Sequence, residues 1–322
     1  MGFKSLTFPG TWWLLPLAAL AAAAPAAATP HTKSGPAKEA FVKSTLKDAA
    51  QPEPRPALWL LADEDTKIYM FGTIHVLPPG FRWRSPAVER AVGEADTLVV
   101  ETYEPPGTER GLEDQTGFFA ERPVPILERV PKSKRKPLRE AISAAGLPLD
   151  FLDRMHSWAA AMTLGIAQTL GAYGVDDPAE APGVEDVLEE TFRGAGKPIL
   201  SVEDGDTVFA ALSELPQDVQ TQLLLDAIEP APAGAAEIPA AGELEWVAGR
   251  DEAMSLEGEA GFPPALFDVL VRRRNAAWTV WLEDRLKQPG TLLFAVGAGH
   301  LAGRESVQAM LARRGLRVTR VD

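Results

Sequence analysis

The 322-residue chain contains no cysteine and only four histidines. The first absence removes disulfides, thiolate metal sites, iron–sulfur clusters and a cysteine nucleophile together, so that any metal must be held by His, Asp or Glu. The second confines imidazole chemistry to His31, His75, His156 and His300. Cationic charge is also short: 32 Lys and Arg stand against 45 Asp and Glu, a formal net charge of -13. Nonspecific nucleic-acid binding by phosphate neutralisation is therefore excluded, and no nucleic-acid partner is expected. There is no Gly-x-Ser-x-Gly elbow, no phosphate-cradling glycine loop and no His-Glu-x-x-His helix, which removes the common serine-hydrolase, nucleotide and zincin readings.

With 46% apolar and 24% charged residues, the chain has the composition of a globular protein. It opens with Met1-Gly2-Phe3-Lys4, an apolar run from Trp12 to Ala24 and small residues through Ala28, the order of a secretory signal. Residues 1–28 are thus expected to direct export to the periplasm or the exterior, with cleavage after Ala24 or Ala28. The run from Thr11 to Ala28 is about long enough, at ~18 residues, to stay as an anchor, and a membrane partner is expected only in that case. Thr29 to Pro56, with five prolines and four lysines, is expected to be a disordered tether. The remaining residues, 57–322, form one domain. Ala231 to Gly242 has a similarly thin composition and is expected to be a surface loop. The sequence does not specify an oligomeric state.

Ala57–Leu61 and Lys67–Phe71 flank the polar turn Asp63-Glu64-Asp65-Thr66 and predict an antiparallel hairpin. Ser85-Pro86 predicts a capped helix, and Thr97–Glu101 a strand buried on both faces. The middle of the chain has helical periodicity over Lys132–Ala145, Asp150–Leu170, Val184–Ala195, Gln217–Ile228, Leu244–Leu256 and Pro264–Leu286, interrupted by a strand at Pro198–Val202. Thr291–Val296, Arg304–Arg314 and Leu316–Val321 then read strand, helix, strand. The expected fold class is α/β: a mixed sheet built from the N- and C-terminal α/β halves, with a large helical insertion between them.

Two strand ends carry the same spacing, Gly72-Thr73-Ile74-His75 and Gly297-Ala298-Gly299-His300. Ligands of open α/β sheets sit beyond the carboxyl ends of strands, and Glu101 ends a third such run. Two imidazoles and a carboxylate suit a divalent metal with positions left for water and substrate, provided the Glu101 strand lies between the other two. Arg274-Asn275 are candidates to offer a cation and an amide to a developing oxyanion. His31 falls in the tether, and His156 has no second ligand nearby in sequence. Lys134-Arg135-Lys136 and Arg272-Arg273-Arg274 otherwise fit solvated helix faces.

Ala57-Leu58-Trp59, Phe71 to Pro78, Thr97 to Glu101, Gly196-Lys197-Pro198 with Glu203, Arg274-Asn275 and Val296 to Leu301 occur in an order that resembles the TraB/GumN family, which includes the Tiki proteins. The resemblance covers residues 57–322. It implies a fold similar to ChaN and the erythromycin esterases. It also implies a metal-dependent peptidase using His75, His300 and Glu101, with manganese or cobalt favoured; the donor set equally admits zinc or ferrous iron. The substrate would be a peptide or another small polar molecule. Where relatives carry Gly-Val-Asp, this chain has Gly183-Val184-Glu185. Two alternatives stand beside this reading: a metal-free hydrolase with a histidine general base, and a noncatalytic envelope protein of polysaccharide export or signalling.

Overall fold

The computed structural model describes residues 51–108, 110–111, 114–175, 177–228, 241–257 and 262–322. The signal segment and most of the tether lie outside the described residues, as does most of the Ala231–Gly242 segment, whose last two residues open a helix.

Among the described residues the strands are β1 (Leu58–Ala62), β2 (Thr66–Thr73), β3 (Thr97–Val100), β4 (Ile199–Ser201), β5 (Gly290–Gly297) and β6 (Val318–Arg320), in one mixed sheet of order β4-β3-β5-β2-β1-β6. The α/β class expected from the sequence is the one observed. The hairpin pairs Leu58 with Phe71 through Ala62 with Lys67. Its turn is closed by Asp63, whose carboxylate accepts from the backbone N–H of Asp65 and Thr66 at 3.2 and 2.9 Å. β5 runs parallel to both β2 and β3, and β3 parallel to β4, whereas β1 is antiparallel to both of its neighbours. The sequence-based condition that the Glu101 strand be central is corrected here. β5 lies between β2 and β3, because its Leu292 to Gly297 run is apolar or small on both faces and fits the position where both faces are covered.

Helix α1 (Pro86–Glu94) is capped by the Ser85 hydroxyl, as expected. The helical insertion contains α2 (Arg135–Ala144), α3 (Leu149–Arg154), α4 (Ser157–Ala172), α5 (Val184–Gly194), α6 (Gly205–Ser213), α7 (Gln217–Asp226) and α8 (Ala241–Val247). Then come α9 (Pro264–Phe267), a π-helical turn at Asp268–Arg272, α10 (Arg273–Arg285) and, after β5, α11 (Val307–Arg313).

Three differences from the expected helices have local causes. The Asp150–Leu170 stretch is broken because Met155 bridges Phe119 and the N–H of His156 donates to the carbonyl of Phe118. Leu244–Leu256 is interrupted at Gly249, which has φ +74° and lies so close to the Arg55 carbonyl that a Cβ would stand 2.6 Å from it. α6 was not expected; the Asp204 carboxylate accepts from the N–H of Asp206 and starts it.

Apolar residues collect in separate cores. α4 is buried almost all round and centres the helical core, where Trp158 stacks on Phe209 at 5.7 Å and Phe118 meets both rings. One face of the sheet packs on α1 and α5, with Phe71, Trp83 and Trp246 in mutual contact. The other face packs on α10 and α11, where Phe294 touches Trp278 and Trp281 at centroid distances of 5.9 and 6.3 Å. Among the described residues no helix is long and apolar enough to cross a membrane.

Phe294 is fully buried on the central strand. Phe294→Ala is expected to lower unfolding free energy by about 3–5 kcal/mol in urea titrations, the cost of a large cavity in a close-packed core. A change below about 1 kcal/mol would mean that β5 is not the keystone of the sheet.

Candidate active site

Parallel pairing places the carboxyl ends of β2, β5 and β3 side by side: Thr73 is in register with Gly297, and Val100 with Ala295. His75 follows β2 by two residues, Glu101 directly follows β3, and His300 lies in the 3₁₀ turn Ala298–Leu301 after β5. The strands approach so closely that a Cβ on Gly72 would stand 3.0 Å from the Cα of Ala298. Glycine in the first Gly-x-x-His motif is therefore a packing requirement. The Trp246 indole N–H fixes the same point by donating to the Gly72 carbonyl at 2.9 Å.

His300 is wholly buried, and its tautomer follows from its neighbours. The amide nitrogen of Asn275 donates to the carbonyls of His300 and Glu305 at 3.2 and 2.7 Å, so the amide oxygen faces the ring. That oxygen, 2.6 Å from Nδ1, requires Nδ1 to carry the proton and leaves Nε2 as the lone pair. Burial and the positive charge of Arg274 hold the His300 pKa well below the ordinary range, so the ring stays neutral.

His75 is anchored in the same sense by a different group. Its Nδ1 is 2.7 Å from Oε1 of Glu185, the second residue of α5, and the Thr73 hydroxyl donates to the same oxygen. Its Nε2 is buried and has no hydrogen-bond partner among the described residues. Burial alone would lower the His75 pKa; the Glu185 charge and hydrogen bond overcome it and raise the value to about 9. Burial raises the Glu185 carboxyl, but the imidazolium outweighs this and the net direction is down. α5 is seated by Gly183, where a Cβ would stand 2.3 Å from the His75 carbonyl oxygen, and by the Val184 N–H donating to the Ile74 carbonyl at 2.9 Å.

Glu101 lies between the two histidine turns. Its Oε1 accepts from the Gly297 N–H at 2.7 Å and stands 3.8 Å from His300 Nε2, while Oε2 accepts from Arg274. Arg274, also buried, donates from Nε to both oxygens of Glu203 at 2.9 and 3.1 Å, and from Nη1 to the Leu270 carbonyl at 3.0 Å. Trp278 adds an indole N–H to Glu203 at 3.1 Å. The two carboxylates override the effect of burial and keep Arg274 charged. Burial raises the Glu203 pKa against the pull of Arg274, and the like charge of Glu101 adds to the rise. One guanidinium thus serves two buried carboxylates.

The structure therefore brings Glu101, His300, Arg274 and Asn275 into contact, with His75 on the neighbouring strand end within electrostatic reach of Glu101 and His300. As the side chains stand, no group of three or more His, Asp or Glu among the described residues is set to hold a metal ion. Asn275 spends both amide hydrogens on carbonyls and acts on the His300 ring. His156 heads α4 beside Arg129, and burial and that cation lower its pKa. Arg272 and Arg273 are exposed and paired with Asp268, and Lys136 with Glu140, as solvated helix faces would be. Sequence reasoning noticed Glu185 and Glu203 without assigning them a role, and missed Thr73 and Trp278. The available signal was an acid in the first turn of a helix after Gly183, and another directly after a short strand.

Comparison with known proteins adds the family. Residues 57–320 match the TraB/PrgY/gumN family. The chain belongs to that family. Over 265 residues it is 25% identical to the uncharacterized protein YbaP of Escherichia coli K12 and to YbaP of Shigella flexneri, covering 80% of this chain and 92% of each relative. No solved structure matches. The order of motifs that suggested a TraB/GumN member therefore identified the family correctly.

The His75–Glu185 pair makes stability pH-dependent in metal-free protein. The folded His75 value of about 9 exceeds the unfolded value near 6.5. The contribution, about 3 kcal/mol at most, is complete below pH ~6.5 and is lost as pH rises through about 9. Thermal melts in chelator should show Glu185→Gln well below the unmutated protein at pH 6, with the gap closing by pH 10. A gap independent of pH would refute the ion pair.

Proposed function

We propose that this chain is an extracytoplasmic, metal-dependent hydrolase acting on a peptide or related amide. One observation carries the reading: Nδ1 of both His75 and His300 is fixed by an acceptor, Glu185 or Asn275, which leaves Nε2 as the ring nitrogen of each that a cation would meet, in His75 after loss of its proton. Imidazole ligands of protein-bound metals are held in this way, with the far ring nitrogen donating to a carboxylate or carbonyl.

The remaining chemistry fits a cation. The buried His75 Nε2 has no hydrogen-bond partner among the described residues, and buried polar atoms are seldom left so. Two carboxyl groups, Glu101 and Glu203, share the single guanidinium of Arg274. The 3.8 Å between Glu101 Oε1 and His300 Nε2 is close to the ~3–3.5 Å separating two ligands that each lie about 2.1 Å from one ion. His75, Glu101 and His300 would hold the metal. A bound divalent cation would polarise the scissile carbonyl and lower the pKa of a water.

The chain's own residues prepare that site. Glu185 and Thr73 set the His75 ring, Asn275 selects the His300 tautomer, and the Gly297 N–H keeps Glu101 oriented. Burial of the whole rim makes each of these interactions stronger than it would be in water. Manganese or cobalt is the favoured metal by family likeness, and two imidazoles with a carboxylate accept zinc or ferrous iron as well. The N-terminal signal-like segment supports the extracytoplasmic placement.

A metal-free hydrolase is favoured by one feature, the carboxylate–histidine dyad itself, whose shape is that of a general base with its orienting group. The raised His75 pKa argues against it, because a group titrating near 9 is mostly an acid at neutral pH.

Purified protein stripped with chelator and titrated with Mn(II), Co(II) and Zn(II) at pH 7.5 should take up one ion per chain and gain activity against a peptide library. His75→Ala and His300→Ala should lose more affinity than the roughly 10–100-fold produced by outer-shell changes such as Glu185→Gln. Chelator-resistant hydrolysis that rises toward pH 9 would replace this reading with the metal-free one.

A further inference from the structure

Arg274 occupies an unusual place in this network. Its Nη1 lies 3.0 Å from His300 Nε2, the ring nitrogen that Asn275 leaves with a lone pair. Its Nη2 reaches both Oε2 of Glu101 and Oε1 of Glu203. His300 and Glu101 are two of the three groups assigned above to a metal. Glu203 is not. It grips the guanidinium through Nε as well, and its own position is fixed by the Trp278 indole. The arginine thus reaches His300 and Glu101 within the metal-binding set, and Glu203 and the Leu270 carbonyl outside it.

A buried arginine that served only as a salt bridge would need carboxylates and carbonyls. Donation into a neutral imidazole lone pair adds little to such a pair, yet it occupies the electrons a metal would use. The arrangement places one cation between the two carboxyl groups when no metal is present. Isolated charges buried without a partner are strongly destabilising.

We propose that Arg274 is the resident counter-cation of the metal-free site and a direct competitor for it: a divalent ion is held only when the guanidinium gives up His300 Nε2 and Glu101 and rests on Glu203. The inference depends on the metal reading above. It makes metal affinity a property of the Arg274–Glu203 pair as well as of the three ligands.

The decisive variant keeps the charge and removes the reach. In Arg274→Lys a compact ammonium replaces the planar five-donor fork and cannot span Glu203, Glu101 and His300 together. With the full chain freed of metal, Mn(II) binding followed by electron paramagnetic resonance of the free ion should be at least tenfold tighter in Arg274→Lys than in the unmutated protein. Circular dichroism and thermal melting verify that the variant is folded. A purely through-space effect of positive charge would leave Arg274→Lys equal to the unmutated protein, and equal or weaker binding overturns the proposal. Crystals of the unmutated protein with and without Mn(II) supply a second test that needs no variant. The Arg274–His300 contact should be absent from the loaded form while Arg274–Glu203 persists; survival of the former overturns competition. If neither the unmutated protein nor Arg274→Lys binds Mn(II), Co(II) or Zn(II), this inference and the metal reading both fall. If the unmutated protein binds metal with Arg274→Lys no tighter, only the inference falls.

Discussion

The buried guanidinium of Arg274, between Glu101 and Glu203 and against His300, is the interaction on which the rest of the site depends. It joins four separate parts of the chain: the end of β3, the segment after β4, the first turn of α10 and the turn after β5. Such a network costs desolvation of every charge it contains, and apolar residues of similar volume would often stabilise a core as well or better. The helical core of this protein, built from Phe118, Trp158 and Phe209, shows that the chain can make an apolar centre where none of its groups must remain charged. Charge at the strand ends is therefore explained by chemistry better than by stability.

The sheet delivers this chemistry through β5. Parallel neighbours on both sides bring the His75 and Glu101 strand ends to the His300 turn, and small residues at Gly72, Gly297 and Ala298 permit the approach. α10 enters through a π-helical turn, a form of helix irregularity that recurs at functional sites. That wide turn precedes Arg274 and supplies the Leu270 carbonyl that its Nη1 meets. The fold and the site are consequently one construction: the strand that orders the sheet also holds the network together.

Sequence periodicity was enough to identify the hairpin, the capped α1, the buried β3 and β5 and most of the helices, because each is specified by residues close together in the chain. The placement of His75, Glu101 and His300 beyond strand ends was legible for the same reason, each following an apolar run. Glu185 and Glu203 were not, since their partners lie 112 residues away at Thr73 and 71 residues away at Arg274, and no local pattern encodes such pairings. Asn275 was a sequence candidate for offering its amide to an oxyanion, whereas its orientation toward His300 depends on the Glu305 and His300 carbonyls, which only the packed turn brings within reach. The central position of β5 likewise depends on crossover connections that periodicity does not describe.

Family membership places the fold among TraB/PrgY/gumN proteins, whereas chemistry must be established at the site itself. The central claim is that two imidazoles and one carboxylate on one sheet rim bind a metal, and X-ray absorption of the Mn(II)- or Co(II)-loaded protein tests it most directly. The account predicts a first shell of two imidazole nitrogens with oxygen at about 2.0–2.2 Å, one imidazole disappearing in each of the two histidine variants. A shell of oxygen alone, as expected for a cation held loosely on the surface of an acidic protein, would contradict it.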